Sequence, residues 1–317
     1  MKNVRIGNSN WETSAIALGI MRMADLSADQ ATKAIEAAHD NGINFIDSAD
    51  IYGMGKSEEV FAQGLKNSSL NRDDFYIQSK GGIINNPDGK LANFEAGKRY
   101  DFSKKHIVES VDGILQRLNI DYLDSFLLHR PDTLMDPEEI AKAFDELQTT
   151  GKVRHFGVSN FNPEQYQMVQ EAVDQKLLIN QLQFGIMHTG MIDFGIHTNM
   201  SDDRSVDHDG GILEFSRRKG VTIQAWSPFQ YGFFEGVFIN NDKFPELNSK
   251  LEELAKKYNV GKNAIATAWI LRHPANIQVI LGTMNPDHIA DSAQGGDVQL
   301  TNQEWYDVYF AAGNDLP

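Results

Sequence analysis

Eight short apolar segments alternate with segments whose apolar residues recur at helical spacing, and this predicts a (β/α)8 TIM barrel spanning residues 1–317 as a single domain. Two further observations favour a closed barrel over a doubly wound sheet. The first strand-to-helix turn, GIMRMADLS, lacks the G-x-G-x-x-G phosphate loop of a dinucleotide-binding doubly wound fold. The longest connections expected, 83–102, 188–210 and 229–243, all follow strands, so they belong to the C-terminal face, where such barrels carry their chemistry.

The strands are read at Ala17–Ile20, Asn44–Asp47, Phe75–Lys80, Tyr122–His129, Arg154–Ser159, Ile179–Gln183, Val221–Trp226 and Ile277–Leu281. Between them, Ser27–Asn41 places Ala31, Ala34, Ile35 and Ala38 on one helical stripe and ends at Gly42. Ser57–Lys66 and Lys104–Leu118 repeat that pattern. Asp136-Pro137 and Asn162-Pro163 each join a capping side chain to a first-turn proline. Helices follow at Ile212–Lys219, Pro245–Tyr258 and Lys262–Leu271, after Asn285-Pro286, and at Thr301–Ala312, where Thr301 and Glu304 have capping-box spacing.

The formal charge of −15 disfavours nucleic-acid phosphates as partners. The absence of cysteine excludes disulfides, thiolate metal sites and thiol nucleophiles, and fits a cytoplasmic setting. The N-terminus has no apolar signal core, and no apolar run approaches the ~20 residues of a membrane span. Four polar residues at or just past strand ends carry the chemical signal: Asp47, Tyr52, Lys80 and His129. An acid, a phenol, an ammonium and an imidazole on one face suit proton transfer to a carbonyl oxygen. Taken singly, each also reads as a turn former, a packing residue or a solvated charge.

The stretches GINFIDSADIYG, SKGG, LLHRPD, GKVRHFGVSNF, INQLQF, AWSPF and LGTMNPDHIADS resemble the aldo-keto reductases over nearly the whole chain. HRPD and the ending AAGNDLP are similar to a less characterised bacterial branch. The resemblance implies NADPH-dependent reduction of a small carbonyl substrate by a monomeric barrel, with NADH as a possible substitute. It makes Tyr52 the general acid, Lys80 the cation that lowers its pKa, Asp47 the partner of Lys80, and His129 the group that orients the carbonyl. It assigns the nicotinamide carboxamide to Ser159, Asn160 and Gln181, although Ser159-Asn160 also reads as a helix-capping region. Trp226 stacks on the ring, or is a core aromatic. Ser227 approaches the pyrophosphate, and Pro228 and Phe229, which follow it in the loop, join the cofactor set. Met21 and Arg22 join the cofactor set, Arg22 being equally readable as a salt-bridge partner.

The adenosine end falls to Gly282, Thr283, Asn285, His288, Asp291 and Ser292. Here the chain departs from the family: well-known members carry lysine where Gly282 stands and arginine where His288 stands. Weaker 2′-phosphate selectivity is the expectation. Two competing functions remain: a nucleotide-sensing auxiliary barrel with little turnover, and a metal-dependent isomerase or hydrolase using Asp47, Asp50, His129, His188 and Asp193. No metal is expected, because the sequence lacks metal-ligand spacing.

Overall fold

The computed structural model describes residues 1–84 and 99–317; most of the expected 83–102 connection, residues 85–98, lies outside the described residues. The strands are β1 (Asn3–Arg5), β2 (Glu12–Ser14), β3 (Ile16–Gly19), β4 (Phe45–Asp47), β5 (Tyr76–Gly81), β6 (Ile83–Ile84), β7 (Arg99–Tyr100), β8 (Leu123–Leu128), β9 (Val153–Ser159), β10 (Leu177–Gln183), β11 (Thr222–Trp226), β12 (Gln230–Tyr231), β13 (Gly236–Val237) and β14 (Ile277–Leu281). The helices are α1 (Ala28–Asp40), α2 (Lys56–Asn67), α3 (Lys104–Leu118), α4 (Pro137–Thr149), α5 (Pro163–Ala172), α6 (Gly190–Ile196), α7 (Ile212–Lys219), α8 (Pro245–Tyr258), α9 (Lys262–Leu271), α10 (Pro286–Gln294) and α11 (Asn302–Ala311).

Eight strands close into a barrel in the order β10-β11-β14-β3-β4-β5-β8-β9, with helices interleaved along the chain. The ladders of β11 with β14, β14 with β3, β4 with β5, β5 with β8, and β8 with β9 are parallel. That is the (β/α)8 architecture expected. Strands buried on both faces read as near-continuous apolar runs, and β8 (LDSFLL) is buried at every position.

The chain divides into two compact units. One comprises Gly19–Glu36 and Phe45–Asn180. Its core includes Phe144 stacked on Phe156 at 4.1 Å between ring centroids, with Ile107, Val111 and Phe126 fully buried. Within it, α4 is capped by Asp136, whose side chain accepts from the Glu138 N–H, and α5 by the reciprocal Asn162–Gln165 box. The other unit comprises Met1–Leu18, Ala37–Asn44 and Gln181–Pro317. There Trp269 and Trp305 stack at 4.7 Å, and each indole N–H donates to the other's backbone carbonyl at 3.0 Å. This gives two buried donors their partners.

Four departures from the expected layout occur in segments too short to show a period, the first being the antiparallel pairing of β6 with β7 at the two ends of the expected 83–102 connection. β1 and β2 form an antiparallel hairpin ahead of the barrel. Within 188–210 the chain forms α6, which buries Met191, Ile192 and Asp193, and a 3-10 turn at Asp203–Ser205. Within 229–243, β12 and β13 pair antiparallel.

Candidate active site

Strand ends position the four chemical residues, all within the Gly19–Glu36/Phe45–Asn180 unit. Asp47 is the last residue of β4, Lys80 the penultimate residue of β5, and His129 directly follows β8. Backbone bonds continue past the formal strands: the Asp50 N–H donates to the Lys80 carbonyl and the His129 N–H to the Gly81 carbonyl, both at 3.0 Å. Tyr52 opens a 3-10 turn whose next two residues, Gly53 and Met54, have φ of 55° and 57°. Left-handed backbone suits the glycine and strains the methionine, so the phenol sits at a sharp reversal of the chain.

The structure brings the four together. The Lys80 Nζ donates to both oxygens of Asp47, at 2.7 and 2.8 Å, and both residues are buried. It also lies 5.1 Å from the centroid of the Tyr52 ring. The His129 ring meets Tyr52 edge-on, with centroids 5.9 Å apart and planes at 84°. Gln78 donates to Asp47 Oδ1 at 2.7 Å and accepts from Ser125 at 2.9 Å, which gives the carboxylate a second donor beside Lys80. Gln78 went unrecognised in the sequence. Its signal was its place two residues before Lys80 on one strand, hence on the same face.

The electrostatics differ from the sequence expectation in one respect. Burial pushes the Tyr52 phenol above its ordinary value, outweighing the Lys80 ammonium, which acts to lower it, while Asp47 adds to the rise. Lys80 also rises: burial disfavours its ammonium, but the Asp47 carboxylate and then Tyr52 outweigh that. The lysine is thus held charged and the phenol protonated.

Two further carboxyls lie in the same unit: Glu58, which went unrecognised in the sequence, and Asp50, named there only for the alternative metal set. Glu58 is fully buried and accepts from Arg117 Nε at 2.7 Å, Ser79 at 2.9 Å and Ser48 at 3.2 Å. Burial raises its pKa, against Arg117. Asp50 is raised to about 7, first by burial and then by Glu58, with Ser110 and Arg117 opposing. Its buried Oδ1 has no hydrogen-bond partner among the described residues. A carboxyl so placed keeps its proton well above the usual carboxylate range.

Of the residues assigned to a cofactor, Ser159 is buried at the end of β9 and accepts from the Asn160 amide at 2.8 Å, Asn160 having φ 61°. Met21 lies in a 3-10 turn where its carbonyl accepts from Ser57, and Arg22 beside it is exposed. In the other unit, Gln181 donates to Gln224 at 3.1 Å and Gln224 to Gln278 at 2.8 Å, a buried amide ladder. Trp226 stacks on Phe234 with centroids 6.5 Å apart, and Phe229 meets Phe238 edge-on. Ser227 has φ 49°, and Pro228 follows in close backbone approach to Gly185.

At the adenosine end, Gly282, Thr283 and Asn285 form the turn into α10. Thr283 Oγ1 accepts from the Asn285 N–H, and Asn285 caps the helix by accepting from the Asp287 and His288 N–H groups. His288 and Asp291 line one cavity of about 560 Å³. Ser292 is buried and its hydroxyl donates to the His288 carbonyl one turn back in the same helix.

Among the described residues, no group of three His, Cys, Asp or Glu side chains could hold a metal ion. Two members of the imagined metal set are otherwise engaged: Asp47 holds Lys80, and Asp193 accepts from Thr189, Tyr309 and Arg204. Among the described residues, no helix is long and apolar enough to cross a membrane.

The closed (β/α)8 barrel carries an acid–lysine pair beside a half-buried tyrosine at its strand ends, the arrangement the resemblance to the aldo-keto reductases led one to expect. The family model described as the aldo/keto reductase family matches residues 15–309, and the chain belongs to that family, which makes it an NAD(P)-dependent oxidoreductase. It is 35% identical over 305 residues, 95% of each chain, to 6-dehydroglucose reductase of Agrobacterium fabrum. It is 32% identical over 321 residues, 100% of each, to oxidoreductase YdhF of Escherichia coli. An aldo-keto reductase from Klebsiella pneumoniae, solved in complex with NADPH, superposes with a TM-score of 0.75 at 23% identity, covering 97% of this chain and 93% of that one.

Proposed function

We propose that this protein reduces an aldehyde or ketone to the alcohol with NADPH, Tyr52 giving the proton. When bound, the nicotinamide supplies the hydride that adds to the carbonyl carbon. As the carbonyl π electrons collapse onto oxygen, the Tyr52 hydroxyl transfers its proton to that oxygen. Lys80 stabilises the phenolate left behind, and Asp47 keeps Lys80 charged and fixed. His129 donates to the carbonyl oxygen and orients it. An alkoxide is a far stronger base than a phenolate, so a raised phenol pKa leaves the transfer downhill and keeps the acid loaded at neutral pH.

The observation that carries this reading is the pairing of Lys80 with both Asp47 oxygens beside the Tyr52 ring. The residues present also suit NADP(H): amide and hydroxyl groups at Ser159, Asn160 and Gln181, an aromatic at Trp226, and a cavity whose lining includes Lys262 and His288. The Klebsiella relative's NADPH and the reductase names of the bacterial relatives support the same cofactor and chemistry.

The test is NADPH oxidation followed by absorbance over a panel of aldehydes and ketones, headed by 6-dehydroglucose because two bacterial relatives are named for it. Tyr52→Phe should bind NADPH as the parent does and lose ~10²-fold or more in kcat. A near-normal rate would remove Tyr52 from the role. Normal NADPH binding with no turnover on any carbonyl would favour the sensing alternative.

A further inference from the structure

We propose that Lys262 selects the cofactor's 2′-phosphate, a role the sequence leaves vacant at Gly282 and His288. The inference rests on the reading above that NADP(H) is the cofactor.

The two helix N-termini nearest in sequence to the expected phosphate position already have their N–H groups engaged. Asn285 caps α10 with its own side chain. The Asp291 carboxylate accepts from the Gly261 N–H at 2.8 Å and the Asn263 N–H at 3.2 Å, so it caps α9. The Gly261–Asp291 approach is close enough that a Cβ on Gly261 would lie 2.3 Å from either carboxylate oxygen. A dianion arriving here therefore depends on side-chain cations more than on helix ends.

The cavity of about 560 Å³ supplies them. It is lined by His288 and Asp291 from α10, Lys262 and Asn263 from α9, and Lys256 from α8, with Glu252 also on its wall. The two lysines are not equivalent. Lys256 is exposed, with 75% of its side-chain surface open, and pairs with Glu252 at 3.3 Å. Lys262 keeps only 20% exposed; its ammonium donates to the neutral Asn240 Oδ1 at 2.6 Å and stands 3.7 Å from the same Glu252. Solvent screens an exposed charge heavily and a half-buried one much less. The Lys262 charge is only partly compensated, because its nearest partner is an amide and the carboxylate is shared. A phosphate can displace the amide and form a charge-assisted bond in its place. His288 is exposed and contributes cationic charge only when protonated.

The experiment is calorimetric titration of the full-length protein with NADPH, NADH, 2′,5′-ADP and 5′-AMP, so that no turnover enters the readout. Lys262→Gln is expected to weaken NADPH and 2′,5′-ADP by tenfold or more, about 1.4 kcal/mol, while NADH and 5′-AMP stay within about twofold. Lys262→Arg is expected to restore most of the loss. Unchanged NADPH affinity in Lys262→Gln, or equal losses for NADPH and NADH, would overturn the assignment. So would a phosphate-specific loss in His288→Ala and not in Lys262→Gln. A parent protein that binds no dinucleotide at all would instead sink the proposed function, and this inference with it.

Discussion

Both oxygens of the Asp47 carboxylate accept from the Lys80 ammonium, with the lysine side chain at 0% and the aspartate at 3% exposure. Desolvating two charges is costly, and a bidentate contact supported by Gln78 offsets that only while both partners stay. Asp47→Asn should therefore destabilise the fold by ~3–5 kcal/mol, because it strands a buried ammonium. Adding Lys80→Met should recover much of that loss, since groups in direct contact are not additive. Denaturant midpoints of the two single variants and the double variant test this. A double variant as unstable as the sum of the singles would mean that the pair is not coupled.

The raised Tyr52 pKa fixes the sign of a pH profile. A general acid works only while protonated, and burial holds this phenol above its ordinary value of 10.0. Carbonyl reduction limited by chemistry should then hold its rate through neutral pH and fall only above that value. Lys80 acts to lower the phenol, so Lys80→Met should move the alkaline limb further up while cutting kcat. A profile that falls well below pH 10 in the parent would show that another group, or a bound cofactor, sets the titration.

The four chemical residues were legible because strand ends in a parallel barrel share one face, and a short apolar run ending in a polar residue marks such an end. Helices with a full stripe and a cap, such as Lys104–Leu118 and Pro245–Tyr258, were readable residue for residue. The α6 segment was not, because seven residues rich in glycine carry little period, and burial of Met191 and Ile192 rather than propensity holds it. The direction of the Tyr52 shift was misjudged for a related reason. A neighbouring ammonium is visible in sequence, whereas the desolvation that outweighs it exists only once the chain has packed. Lys262 was hidden likewise: it opens α9 while His288 belongs to α10 beyond the next strand, and the two line one cavity only once the chain has folded.

Asp50 makes stability itself depend on pH. Its carboxyl stands at 3.8 when unperturbed and at about 7 in the fold, so between those values the folded chain holds a proton that the unfolded chain has lost. Stability therefore falls as pH rises through that window, by at most about 4 kcal/mol. Asp50→Asn keeps the shape and removes the proton, and should flatten this slope and raise stability near neutrality. Urea unfolding at a series of pH values from 4 to 8 measures it. A slope that survives in Asp50→Asn would assign the effect to other groups, Glu58 first, whose pKa burial also raises.

Arg117 tests how far that buried acid cluster supports the turn bearing Tyr52. Its guanidinium holds Glu58, and it lies so close to Gly55 that a Cβ there would come within 2.6 Å of its side chain. Gly55 sits at φ 88° and leads directly from the Tyr52 turn into α2. Arg117→Met should leave Glu58 buried without its cation at a cost of ~3–5 kcal/mol, and Glu58→Gln in the same chain should relieve part of it. Thermal midpoints give the first effect. An Arg117→Met variant of parental stability would show that Glu58 is already protonated and needs no partner.

Backbone packing under the Ser227–Phe229 segment gives the last test. A Cβ on Gly185 would lie 2.2 Å from the Pro228 carbonyl oxygen and 3.0 Å from its carbon, and backbone cannot step aside as a flexible side chain can. Gly185→Ala should therefore push Pro228 outward, at an overpacking cost of ~1–3 kcal/mol. If Ser227 approaches the cofactor's pyrophosphate and Pro228 and Phe229 belong to the same cofactor segment, NADPH and NADH affinities should fall together, with no discrimination between them, in contrast to the phosphate-specific loss expected at Lys262. Gly190→Ala is the control: nothing lies within 4 Å of its Cβ, and alanine suits the first turn of α6 better than glycine does. Titration with both dinucleotides decides it. A Gly185→Ala variant that loses stability and yet binds both as the parent does would take this segment out of the cofactor site.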